Sequence, residues 1–209
     1  MPSDKLSFNL LHIQPLIIVI SGPSGIGKDA VIRELKGRNL PLHFVITATS
    51  RPPRSNEING VDYFFFPKEE FEQRIAGGEF IEYAQVYQDY KGIPRSQIEG
   101  AIKSGKDVVL KLDVQGAATI RRLYPEAVLV FLIPNSTSEW YDRLCNRKSE
   151  TPETLKIRVD TAIKETEQIG IFDYIVLNAQ DRLAAAVDNI IDILKVEHLK
   201  VHHRKMKQE

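Results

Sequence analysis

An α/β fold is predicted for this chain: a parallel sheet with helices on both faces, interrupted once by a small β-rich insertion. Three observations predict it. An apolar, strand-like run, Leu16 to Ile20, enters the glycine-rich loop Gly22-Pro23-Ser24-Gly25-Ile26-Gly27-Lys28-Asp29, and a helix-compatible segment, Ala30 to Lys36, leaves it. From Pro94 onward strand-like and helical segments alternate, as crossover connections of a parallel sheet require. Between these two stretches the chain changes character and reads as short strands around one helix.

Taken in order, Phe44-Val45-Ile46 is a strand candidate that ends in the loop Thr47-Ala48-Thr49-Ser50-Arg51-Pro52-Pro53-Arg54, because proline supplies no ladder donor. Tyr63-Phe64-Phe65-Phe66 and Phe80-Ile81-Glu82-Tyr83-Ala84 read as strands, separated by a helix from Lys68 to Ile75 and the Gly77-Gly78 breaker. Helices are expected over Arg95 to Lys103, Ala117 to Leu123 and Thr137 to Arg147, and strands over Val108 to Leu112, Ala127 to Ile133 and Tyr174 to Leu177. Arg147 to Glu153 is polar and reads as a flap between two helices. Val187, Ile190, Ile191 and Leu194 recur at helical spacing and give the last helix one apolar stripe. The basic end beyond it, with Lys195, Lys200, Arg204, Lys205 and Lys207, reads as a solvated helix terminus that complements the helix dipole.

The 209 residues suffice for one compact unit with a real core. Lysine plus arginine equals aspartate plus glutamate at 28 each, so no global charge points to nucleic acid or a membrane surface. No apolar stretch approaches membrane-spanning length. The single Cys145 cannot form an internal disulfide, which suits a reducing compartment. The N-terminal apolar residues are broken by His12, Gln14 and Pro15 and run directly into the loop, so they read as a lead-in and not a signal peptide; Asp4 is uncharacteristic of a transit peptide. The expected address is the cytoplasm.

The loop has the spacing of a phosphate-binding P-loop, G-x-x-x-x-G-K-[ST], with Asp29 in place of the final hydroxyl that normally ligates Mg²⁺. Glycines let successive N–H groups turn toward a polyphosphate, Lys28 reaches its terminal phosphates, and the following helix points its N-terminus at the anion. A chance glycine-rich turn with a lysine is the alternative. Asp113, at the carboxyl end of a strand, stands where a Mg²⁺-organising group belongs, although an aspartate also commonly just ends a strand. Arg51 and Arg54, stiffened by two prolines, suit a second phosphate, or form a solvated basic loop. Arg143, Arg147 and Arg158 flank the flap, from which positive charge can reach a transferring phosphoryl group.

Together these segments resemble the guanylate kinase family, from Leu16 to about Val201. The resemblance rests on GPSGIGK at 22–28, the loop 47–54, Asn59-Gly60-Val61-Asp62-Tyr63-Phe64-Phe65, Glu79 to Ala84, Leu112 to Ala117, and Phe172 to Asn178. It implies a P-loop nucleoside monophosphate kinase core at 14–46 and 94–204, a GMP-binding insertion at about 47–93, a lid at about 143–158, and a lead-in at 1–13. It implies transfer from ATP to GMP, and to dGMP, with Mg²⁺, in purine nucleotide metabolism. No protein partner is implied, leaving a monomer or homodimer. Residue by residue, Gly22 to Asp29 and Asn178 would bind ATP, Arg51, Arg54 and Tyr63 the GMP phosphate, and Thr47 and Glu82 the guanine. A carboxylate at Glu82 can accept from both guanine N1–H and the exocyclic amine, a donor pair adenine lacks. Lys28 would neutralise charge between the nucleotides, while Arg143, Arg147 and Arg158 match the family's lid arginines.

Four positions depart from the family pattern. Asp29 replaces the hydroxyl, Lys91 a tyrosine that touches the GMP phosphate, Ile93 a guanine-binding serine or threonine, and Lys111 the first aspartate of Asp-x-Asp. Asp29 and Asp113 are expected to organise the metal, and Lys91 and Lys111 to restore positive charge near the phosphates. The chain resembles the subset, plant organellar forms among them, with the runs Gly27-Lys28-Asp29-Ala30-Val31 and Tyr90-Lys91-Gly92-Ile93-Pro94. The rival readings are an inactive interaction domain of the same family, which usually lacks an intact P-loop, and a P-loop kinase with another acceptor.

Overall fold

The computed structural model describes residues 11–55, 57–86, 88–145, 152–201 and 204–206. Five strands form the first sheet: β2 (Ile17–Ser21), β3 (Leu42–Phe44), β8 (Asp107–Lys111), β9 (Val128–Ile133) and β10 (Tyr174–Leu177). Their order is β10-β9-β2-β8-β3, and every adjacent pair is parallel. Both faces must then be covered, which explains why these strands read as near-continuous apolar runs. Alternation along β2 sends Ile18 and Ile20 to one face. There they join Val31 and Leu35 of α1 (Lys28–Gly37) and Val187, Ile190 and Leu194 of α7 (Leu183–Glu197). Val19 packs on the other face with Ile98 and Ala101 of α3 (Arg95–Lys103) and Ala117 and Ile120 of α4 (Val114–Leu123). Each fully buried aliphatic chain of this kind stabilises the fold by about 1.5–3 kcal/mol.

The second sheet has the order β5-β4-β7-β6, built from β4 (Ala48–Thr49), β5 (Phe64–Phe65), β6 (Phe80–Val86) and β7 (Asp89–Pro94). Its small core is aromatic. Phe71 of α2 (Lys68–Ala76) stacks on Phe80 at 4.5 Å between ring centroids and on Tyr90 at 5.4 Å. The register of β6 against β7 slips between Phe80 and Glu82, so strict alternation is broken between a core aromatic and a carboxylate that faces elsewhere.

Three expectations shift. The chain leaves the first sheet earlier than Ile46: Val45 N–H still bonds Val109 O at 2.9 Å, and by Ala48 the chain belongs to the second sheet. The run Tyr90 to Pro94, for which no element is expected from the sequence, lies within β7, which bonds to both β4 and β6; Gly92 and Pro94 mimic loop punctuation in the sequence. The basic end is not wholly a helix terminus. Helix α7 stops at Glu197, and β11 (Arg204–Met206) pairs antiparallel with β1 (Leu11–Ile13) in the expected lead-in. Helices α5 (Thr137–Cys145) and α6 (Pro152–Glu167) flank the expected flap, but residues 146–151, Arg147 among them, lie outside the described residues. Among the described residues no helix is long and apolar enough to cross a membrane.

Candidate active site

The P-loop connects β2 to α1, and its shape is fixed by close approaches. At Gly22, φ is +140° and a Cβ would stand 2.7 Å from Leu132 O; at Gly27, φ is +96° and a Cβ would meet Asn178 Nδ2 at 2.8 Å. No other residue fits either place without moving β9 or Asn178. Lys28 opens α1, and its buried ammonium donates to Gly22 O at 2.5 Å and Pro23 O at 3.2 Å, inside its own loop. Burial pushes this ammonium down to about 8, with Glu165 working the other way and Lys91 assisting the fall.

Three elements fasten onto the loop from outside. Trp140 Nε1 of α5 donates to Ser24 O at 2.9 Å, and Arg158 of α6 donates to Ser24 Oγ at 3.1 Å. Glu165, also on α6, accepts from the Ser24 amide at 3.3 Å. Arg143 Nη1 and Asn178 Nδ2 both donate to Ile26 O, at 3.2 and 2.7 Å. Arg143 is also ion-paired to Glu139, whose carboxylate accepts from Gln180 N–H at 2.7 Å. Burial raises the Glu165 carboxyl, against the opposing pull of Lys28. Sequence reasoning missed Trp140, Glu139 and Glu165. The signal for Glu165 was available: it stands seven residues after Arg158, which places both on one helix face.

The second sheet contributes the other half. Arg51 donates from Nη1 and Nη2 to the two oxygens of Glu57, at 2.6 Å each, while Glu57 also accepts from Arg54 N–H at 2.8 Å. The Arg51 guanidinium lies 5.1 Å over the Tyr63 ring and 5.5 Å over that of Phe65, so fork and stacking together fix its plane. Glu57, not foreseen as a site residue, is thus the group that holds Arg51. Thr47 is buried, and its carbonyl accepts from Phe64 N–H at 2.9 Å. Glu82 is half-buried on β6, and among the described residues no donor bonds its carboxylate. Burial and the Asp113 charge push it up to about 7, against the pull of Lys91.

The four unusual positions fall into three arrangements. Lys111 Nζ donates to Asp29 Oδ1 at 2.6 Å and stands 4.2 Å over the Tyr63 ring. Lys91 Nζ lies 3.6 Å from Asp113 Oδ2, while Asp113 Oδ1 caps α4 by accepting from Gly116 N–H at 3.0 Å. Asp113 thus ends its strand as the N-cap of α4, with its second oxygen turned to Lys91. Ile93, paired in register with Glu82, is fully buried in the core with Val45 and Ile98. Its side chain serves packing.

A cavity of about 490 Å³ is lined by Asp29, Thr47, Arg54, Tyr63 and Lys111 among others, a size suited to a small-molecule site; Glu82 and Asp113 lie outside its lining. Metal donors are sparse: no group of three or more His, Cys, Asp or Glu side chains gathers among the described residues. Asp29 and Asp113 supply hard oxygens, each beside an ammonium, which fits a Mg²⁺ ion arriving on phosphate oxygens and not one caged by protein.

A family model described as guanylate kinase matches residues 14–197. Among curated proteins, guanylate kinase 2, chloroplastic/mitochondrial, of Oryza sativa subsp. japonica is 47% identical over 192 residues, covering 91% of this chain and 67% of the relative. The guanylate kinase of Oceanobacillus iheyensis is 40% identical over 185 residues, covering 88% and 89%. Among solved structures, the guanylate kinase from Anaplasma phagocytophilum superposes with a TM-score of 0.77 at 27% identity, covering 93% of this chain and 92% of the other.

Proposed function

This chain belongs to the guanylate kinase family and is an ATP:GMP phosphotransferase; we propose further that dGMP is a second acceptor and that the residues above divide between two nucleotides. The observation that carries the acceptor assignment is Glu82. A half-buried carboxylate without a donor is costly unless a ligand supplies one, and guanine supplies two, N1–H and the exocyclic amine. Adenine would leave it unpaired. In this reading 47–93 is the acceptor segment, 143–158 the lid, and 14–46 with 94–204 the core. A cytoplasmic address is part of this proposal, and the lone Cys145 suits a reducing compartment.

The loop residues from Gly22 to Asp29, Lys28 among them, hold the ATP phosphates, and Asn178 lines the adenine side. Arg54, Tyr63 and the Glu57-fixed Arg51 hold the GMP phosphate, with Thr47 and Glu82 on the base and Lys91 with Asp113 behind it. An oxygen of the GMP phosphate attacks the γ-phosphorus as the bond to the ADP oxygen breaks. Lys28, Arg143, Arg147 and Arg158 stabilise the charge spread over the transferring group. Asp29 and Asp113 would hold Mg²⁺, which would supply neutralisation of phosphate charge. Lid and acceptor segment close only with both nucleotides present, because water would otherwise accept the phosphoryl group. Continuous measurement of ADP formation from ATP and GMP tests the assignment: turnover dependent on both is expected, and no turnover contradicts it.

The depressed Lys28 ammonium gives a pH-dependent expectation. A polyphosphate favours the charged lysine and raises its pKa again, so ATP binding takes up a proton above pH 8. The ATP affinity is then expected to fall by up to about tenfold per pH unit above 8. Glu165→Gln removes a negative charge facing the same phosphates. We expect ATP to bind several-fold tighter at pH 7, and the alkaline loss to begin below pH 8, since Glu165 helps keep Lys28 protonated. Calorimetric titration with ATP across pH 7–10 reads both effects.

A further inference from the structure

Lys111 stands at the junction of the two halves. It closes β8 with its side chain only 16% exposed, its ammonium bonded to Asp29 on the first turn of α1 and poised over Tyr63 of the acceptor segment. Asp29 is the more open partner at 53%. Asp29, Arg54, Tyr63 and Lys111 line one cavity, so the ammonium faces the same space as an arginine assigned above to the acceptor phosphate.

We propose that Lys111 is a ligand of the acceptor's phosphate, held by Asp29 in the resting enzyme, and that this ion pair couples the binding of the two nucleotides. The inference rests on the GMP reading above. The physical argument is competition. A divalent cation arriving with ATP attracts the Asp29 carboxylate and weakens its hold on Lys111. A dianionic acceptor phosphate attracts the Lys111 ammonium and weakens its hold on Asp29. Each ligand lowers the cost of breaking the pair for the other, which is positive coupling, equal in both directions. A lysine that only neutralised Asp29 would influence ATP alone.

Calorimetric titration of GMP, with and without Mg²⁺ and a non-hydrolysable ATP analogue, tests this. For the wild type we expect GMP to bind about tenfold tighter in the presence of the analogue, within the usual range for two-site coupling. Lys111→Met should weaken GMP binding about tenfold or more and reduce the coupling factor to about one, and Lys111→Arg should restore part of the affinity. Asp29→Ser, which frees Lys111, should bind GMP tighter than wild type without the analogue and show no coupling. A Lys111→Met protein with wild-type GMP affinity and intact coupling overturns the proposal. So does an Asp29→Ser protein whose GMP affinity is unchanged or weaker. Should Lys111→Met fail to fold, Asp29→Ser alone decides. The wild-type titration reads the acceptor assignment separately, since failure to bind GMP counts against that reading and not specifically against Lys111.

Discussion

Replacing Lys28 by methionine is expected to lower kcat about a thousand-fold while changing the apparent affinity for GMP far less. The expectation follows from what the lysine does. Its ammonium is a buried cation at the head of α1, bonded to Gly22 O and Pro23 O of its own loop. Charge on a transferring phosphoryl group grows on oxygens near this position, and removing one preorganised donor from such a site typically costs about 10²–10³ in rate, with larger losses for full cations. Methionine keeps most of the buried stem, so the fold should survive, as a thermal melt within a few degrees of wild type would show. Steady-state kinetics at saturating ATP and GMP measure the effect. Near-wild-type kcat would mean that the loop binds a polyphosphate without acting on it.

The second large effect is at Glu82. Glu82→Gln replaces one acceptor with a donor against guanine, and kcat/KM for GMP is expected to fall about 10²–10³-fold, with most of the discrimination against AMP lost. The wild-type pH profile carries the same information. The carboxyl sits at about 7 in the free enzyme, and only the carboxylate accepts both guanine hydrogens. Below pH 7, kcat/KM for GMP should therefore fall by up to about tenfold per pH unit, and the Gln variant should lack this dependence. The second ionisation of the GMP phosphate, near pH 6, affects both proteins alike, so the difference between the profiles reads Glu82 alone. Stability moves the opposite way. An acid whose folded pKa is raised costs stability once pH climbs past its unfolded value, because the unfolded chain releases the proton more easily. At pH 8 the Gln variant should thus be more stable than wild type, on the order of 1–3 kcal/mol. Loss of function with a gain in stability separates a site effect from unfolding.

The parallel core was legible because its strands are buried on both faces and read as apolar runs whatever their neighbours. Tyr174 to Leu177 and Arg95 to Lys103 fall where the sequence places them. Strand β7 was not legible, because Gly92 and Pro94 are loop residues by local preference and only pairing with β4 and β6 makes that segment a strand. The β1–β11 pairing joins residues at opposite ends of the chain, a contact no local pattern records. In the site, single residues with a chemical role were readable from their spacing. Their partners were less so: Glu57 beneath Arg51 and Glu165 beside Ser24 look like ordinary surface acids until the fold brings them in. Of the four departures from the family pattern, three carry charge and fall into two ion pairs, Asp29 with Lys111 and Lys91 with Asp113, while Ile93 lies in the core.

The assignment of this chain as a kinase that selects guanine through Glu82 is tested most directly by competition in one vessel. ATP labelled at the γ-phosphate is offered with equal concentrations of GMP, AMP and UMP, and the labelled diphosphates are separated. Labelled GDP should make up nearly all the product, and its share should collapse in Glu82→Gln. Labelled ADP or UDP in excess, or label released only as inorganic phosphate, would contradict the account.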